Sequence, residues 1–208
     1  MKKLISILMA VVFCAGFLEA QEEDAIAKAR KENVIKLLNY RYKGGYYTFE
    51  KKFNSTVIYP DIAKMNCVVG VALVSLQVDC EGKIMDLRIK TPLGHGIDQE
   101  LSKFFNSTAG EWNTCKDEKY TKFDISIQFY LTGTETKTGD ALLFKEEKNP
   151  GFLCNSDEYY IKRIDKYMEK KKWKRVLPYL DMMIRRDPYN TKYFEMKKLA
   201  VNGGKAPD

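Results

Sequence analysis

The sequence predicts an α+β protein: a small antiparallel three-stranded sheet covered by helices, followed by a C-terminal helical hairpin. Three observations carry this reading. Apolar and polar residues alternate through VALVSLQVD, IMDLRIKT and FDISIQFYL, the period of a half-buried strand. The turn DCEGK joins the first two runs at hairpin length. Beyond residue 157 the apolar period changes to that of a helix.

The chain opens with two lysines, an uncharged run of fifteen residues from Leu4 to Leu18, and Ala20. This pattern predicts a secretory signal over residues 1–20, cleaved after Ala20, because the run is shorter than the roughly 20 residues a membrane span requires. The chain is therefore expected to be exported. Residues 21–43 follow a helical period through Ile26, Ala29, Val34, Leu37 and Leu38, and Gly44-Gly45 stops it. YYTFEKKF then sets Tyr46, Phe49 and Phe53 on one helical face, and Pro60 suits the first turn of a short helix.

In the three strands, one face carries Ala72, Val74, Leu76 and Val78, then Met85, Leu87 and Ile89, then Phe123, Ile125, Ile127, Phe129 and Leu131. The opposite face is polar, with Ser75, Gln77, Asp86, Arg88, Asp124, Ser126 and Gln128, which predicts a sheet covered on one side. The cover is the segment from Ile97 to Phe105, through Leu101, Phe104 and Phe105; burying each such side chain contributes roughly 1.5–3 kcal/mol. Residues 133–156, with Gly133, Gly139, Pro150 and Gly151, read as a linker or irregular cover. Tyr160, Ile161, Ile164, Tyr167 and Met168 mark the next helix. Trp173, Val176, Leu177, Leu180, Met183 and Ile184 mark its partner, and Tyr193, Phe194, Met196 and Leu199 a third. Residues 202–208 read as a disordered tail.

Residues 157–208 hold fourteen Lys or Arg against eight Asp or Glu, whereas residues 21–156 hold nineteen of each. The mature surplus thus sits in the last quarter, where no nucleic-acid motif accompanies it; it reads as a solvated basic face near anionic lipid or an acidic partner. Membrane contact is expected to be peripheral at most. After cleavage four cysteines remain, none spaced CxxC, and an even number in an exported chain favours disulfides. Sequence alone leaves three connectivities. A hairpin followed by a returning helix puts Cys80 and Cys115 at one end of the sheet and Cys67 and Cys154 at the other, which predicts those two pairs.

No catalytic residues, cofactor or metal site are expected. The single histidine, His95, lies in LGHGID without a third glycine or the strand-to-helix context of a nucleotide fingerprint, and with no second histidine a two-histidine metal site is excluded. Asp79, Glu81 and Asp86 lack the dense spacing of a calcium loop. Trp112 and Trp173 fall where their local patterns need a core contact.

Taken together, Tyr59-Pro60, Ala63, Gly70, Asp79 with Gly82, Ile97-Asp98, Trp112 and the strand through Phe129 resemble, in order and spacing, the C-terminal domain of the TonB family. The resemblance covers about ninety residues, 44–132. It implies a mechanical, non-enzymatic role: the family's domain grips a short extended peptide of an outer-membrane receptor by strand addition, in which unpaired backbone groups on a sheet edge accept a partner strand. It implies that the last strand is that edge, along Asp124, Ile125, Ser126, Ile127, Gln128 and Phe129. Two departures separate this chain from a complete energy transducer: no histidine stands in the leader, and no proline occurs between Ala20 and Pro60 to form a spacer. The helical tail, 157–201, resembles one degenerate tetratricopeptide repeat, through Tyr160, Tyr167, Trp173 and the Asp187-Pro188-Tyr189-Asn190 step. The expected function is a protein-binding module acting in or beside TonB-dependent transmembrane transport. The alternative is a periplasmic scaffold that binds mainly through its helices.

Overall fold

The structure, a computed structural model, describes residues 25–115, 120–134, 141–151 and 153–205, with the side chain of Tyr120 outside that description. The expected signal peptide, the end of the expected tail (206–208) and Gly139 lie outside the described residues. Helix α1 covers residues 25–41. It is followed by α2 (Gly45–Thr56), α3 (Asp61–Met65), β1 (Gly70–Asp79), β2 (Ile84–Ile89), α4 (Ile97–Ser107), β3 (Tyr120–Leu131), β4 (Leu143–Glu147), α5 (Asp157–Glu169), α6 (Trp173–Arg186) and α7 (Thr191–Val201).

The sheet has four strands in the order β2-β1-β3-β4 and is mixed. The three expected strands pair antiparallel: β1 lies between β2 and β3, with Val74 opposite both Ile89 and Ile125. The expectation of three strands is corrected by β4, which runs parallel to β3 from Ile127 opposite Leu143 to Leu131 opposite Glu147. It lies inside the segment expected as a linker. LFKEE hides its character because the inward position after buried Leu143 is Lys145, whose ammonium escapes to the Asn54 carbonyl at 3.3 Å while its stem covers apolar surface.

A second correction concerns β2. The register shifts between Gln77 and Val78, so that Ile84 faces Val78 and Met85 is the extra residue of a bulge. Ile84, Leu87 and Ile89 therefore pack on the core, while Met85, expected inside, is exposed.

The core forms between the apolar face of the sheet and α2 and α4. Ala72, Val74, Leu76, Val78, Ile125, Ile127, Phe129 and Leu131 are buried beneath Phe49, Phe53, Leu101, Phe104 and Phe105, so the apolar stripe expected for the cover is the one used. Its aromatic rings meet edge to face, Phe49 with Phe104 and Tyr59 with Phe129 both at 5.3 Å between centroids. Trp112 is buried among them and donates its indole N–H to Thr108 Oγ1 at 3.1 Å.

The other face is not the solvated one the alternation predicts. Val71, Ser75, Ser126 and Gln128 are buried as well. Helix α6 packs on β1, so closely that a Cβ at Gly70 would collide with the Arg185 carbonyl oxygen. Only glycine allows two backbones to approach like this. Beside that contact, Val34 of α1 and Tyr189 join Leu73 and Ser126 around a cleft of about 420 Å³, and the Arg30 guanidinium lies 3.8 Å from the centre of the Tyr189 ring.

The tail helices enclose a small core of Ile164, Val176, Leu180, Met183 and Ala200. Ser156 caps α5 by accepting from the Tyr159 N–H at 3.2 Å, and Asn190 caps α7. Pro178 falls in the second turn of α6, where it forfeits the hydrogen bond that residue 178 would give to the Lys174 carbonyl. Arg186 is buried at the end of α6. It pairs with Asp157, donates to the Asn155 carbonyl at 3.0 Å and lies over the Tyr160 ring, which fastens α6 to the start of α5.

Candidate functional site

Among the described residues, the edges and ends of the sheet offer backbone and side-chain groups that could contact another molecule. Each end carries a disulfide. Cys80 in the hairpin turn is bonded to Cys115, with Cα atoms 4.7 Å apart. Around it Arg41, itself buried, donates from Nη2 to the Asp79 carbonyl at 2.7 Å, and the Arg41 carbonyl accepts from the Asn113 N–H. Cys67, just ahead of β1, is bonded to Cys154 beyond β4, with Cα atoms 5.5 Å apart. These are the two pairs the topology predicted. In the chain-entropy account, closing loops of this length stabilises the fold by roughly 4 kcal/mol each.

The edge expected along Asp124 to Phe129 is corrected by the sheet order. On one flank all six residues pair with β1, from Asp124 opposite Ser75 to Phe129 opposite Gly70. On the other, Ile127, Gln128 and Phe129 face β4, and Ser126 accepts the Leu142 N–H at both its carbonyl and its hydroxyl oxygen. Ile125, Ile127 and Phe129 point into the core, Ser126 and Gln128 are buried on the opposite face, and Asp124 pairs with Lys90 at 2.7 Å. The physical reason is covalent continuity: the chain leaving β3 returns and supplies the neighbouring strand itself.

Among the described residues the outer strands are β2 and β4. They differ in kind. The Met85 bulge interrupts β2, and Arg88 stands exposed upon it, devices that blunt an edge against pairing. β4 has a continuous register and no bulge, with Phe144 38% exposed. Next to β4 lies the segment running from the end of α2 through α3, as the Lys145 contact to Asn54 shows. Burial, with the Glu147 charge adding to it, pushes the Tyr59 hydroxyl well above the usual phenol range. This segment presents Ile58, Ile62 and Met65, each more than half exposed. Their exposure was not visible in the sequence, although the i, i+3 spacing of Ile62 and Met65 puts those two on one side of α3.

At the opposite end, Tyr42 bridges to Trp112 and its hydroxyl donates to Glu111, which also pairs with Lys52 at 2.6 Å. Burial, then Glu111, raises the Tyr42 hydroxyl. Burial acts to raise the Glu111 carboxyl, but Lys52, the Tyr42 hydroxyl and Lys43 outweigh it and hold it below the ordinary carboxylate value. This network ties α1 and α2 to the end of α4. His95 is exposed in the loop ahead of α4, with a left-handed φ of 51°.

No family model matches the chain, and no curated protein matches it. One solved structure does. The solution structure of the Helicobacter pylori TonB C-terminal domain aligns over 39% of this chain and 88% of its own length, at 20% identity and a TM-score of 0.32. No tetratricopeptide-repeat protein accompanies it in these comparisons, so the repeat-like reading of the tail rests on its sequence alone.

Proposed function

We propose that this chain is an exported, non-catalytic protein-binding module of the cell envelope that accepts an extended peptide as an added strand on the outer flank of β4. The partners are outer-membrane receptors, and the module acts in or beside TonB-dependent transport. The order of Tyr59-Pro60, Gly70, the hairpin, Trp112 and β3 supports the family reading, and the two disulfides suit an oxidising compartment. One observation carries the choice of edge: β4 is straight in register and unbulged, whereas β2 is interrupted at Met85. Strand addition uses backbone groups for affinity and alternate side chains for selection, and Ile58 and Phe144 offer apolar contacts beside that flank.

The test is a pull-down from intact envelopes with the chain from Gln21 onward, followed by amide hydrogen exchange with a captured receptor's plug peptide. Capture of outer-membrane receptors, with new protection at residues 143–147, is the expected result. Protection confined to residues 157–201 would overturn this assignment in favour of a helical scaffold, and capture of no receptor would overturn the transport role.

A further inference from the structure

The turn between α5 and α6 concentrates charge in a way folding does not explain. Lys170, Lys171, Lys172, Lys174 and Arg175 are all exposed, and among the described residues none has a carboxylate within ion-pair distance. The last four surround Trp173 in a shallow depression of about 400 Å³. The charges also work against local structure. Lys171 holds a left-handed φ of 51°, which glycine or asparagine adopts more readily, and Lys172 occupies the N-cap of α6 without a capping hydrogen bond. No acid stands in the first turn of α6, so Lys174 and Arg175 face the positive end of the helix dipole. In α5 the same positions hold a serine cap, Asp157 and Glu158.

Apolar surface adjoins these cations. Gly204 lies directly on the Trp173 ring, which brings the end of α7 alongside, with Val201 65% exposed and Lys205 exposed. A half-buried indole in a depression ringed by long cationic side chains, with an exposed valine at the end of the neighbouring helix, matches the lipid–water interface, where tryptophan sits at headgroup depth and lysines meet anionic headgroups. From this juxtaposition we infer that the α5–α6 turn, with the end of α7, is a docking surface for an anionic phospholipid membrane. It holds the module peripherally, through residues that take no part in β4. A purely acidic polypeptide would meet the cations alone, whereas a lipid surface also meets the indole and Val201, which is why lipid is the occupant assigned.

The experiment is cosedimentation of the chain from Gln21 onward, which includes every described residue, with vesicles of phosphatidylcholine alone or with about a third phosphatidylglycerol. Trp112 is buried, so a vesicle-induced shift in tryptophan emission reports Trp173. The expected result is binding to the phosphatidylglycerol vesicles only, with a blue shift, and a loss of about tenfold or more for the triple variant K171E/K172E/K174E. A triple variant at exposed positions elsewhere, K28E/K36E/K51E, has the same net charge and retains binding. If charge reversal disturbs folding, as judged by circular dichroism, K171Q/K172Q/K174Q repeats the test. Equal losses in the two triple variants, equal binding to neutral vesicles, or binding to polyglutamate but not to vesicles would each overturn the inference.

Discussion

The sheet unit and the helical tail divide the stabilising devices of this chain unevenly. Both disulfides and the aromatic cluster of Phe49, Phe53, Phe104, Phe105 and Trp112 belong to the first. The tail has a core of five buried residues, a proline within its central helix, and a basic turn that opposes its own helix dipole. Such a small helical layer draws much of its stability from its support, and here the support is the second face of the sheet, reached through Gly70. The lesson is a division of labour: a fastened platform holds a defined edge, and a more weakly held attachment carries the charge.

The strongest test of that contrast removes the fastening. Replacing Cys67 and Cys154 with serine is expected to cost about 4 kcal/mol in urea denaturation, and to raise hydrogen exchange throughout α5, because Cys154 stands just ahead of that helix. An effect below about 1 kcal/mol would show that packing alone fixes β4.

Core truncations in the two regions should then differ in reach. Phe105→Ala is expected to lower global stability by about 3–5 kcal/mol. Leu180→Ala, costing about 2–5 kcal/mol, should instead open the tail while the amides of β1 keep their protection. A single shared transition for both variants would merge the two regions into one cooperative unit and break the comparison.

Gly70→Ala probes the joint between them. The added methyl meets the Arg185 carbonyl, and a loss of about 1–3 kcal/mol, read as faster exchange in α6, is the expected result.

The smallest effect concerns Glu111, whose side chain is 40% exposed, so its ion pair with Lys52 is discounted for solvent screening. Its carboxyl is held below the ordinary value in the folded state. Its contribution is therefore fully present above the unfolded carboxylate value of about 4.3 and is lost as pH falls through the folded value. Glu111→Gln should be less stable than the parent by under about 1 kcal/mol at pH 7, with the gap closing in acid.

Much of the platform was legible because its signals are local. Alternation in β1 and β3 put Val74 and Ile125 in the core, and the stripe through Leu101 and Phe105 identified the cover. The candidate edge was not legible. β3 reads as a terminal strand because LFKEE lacks a strand's apolar signature, and pairing depends on what the chain does after a turn rather than on composition. The Met85 bulge escaped for a related reason: a one-residue shift reverses which side chains face inward, and only the partner strand sets it.

By itself, then, the sequence determined the periodicity of each element, the cysteine pairs compatible with a hairpin and a returning helix, and the place of the basic surplus. These follow from side-chain chemistry at fixed spacing along one chain. The tertiary structure decided which flank of the sheet stays open, that polar Ser126 and Gln128 are buried, and where the tail rests. Those outcomes turn on contacts between distant segments, β4 against β3 and α6 against Gly70, where backbone hydrogen bonding and close approach outweigh local preference.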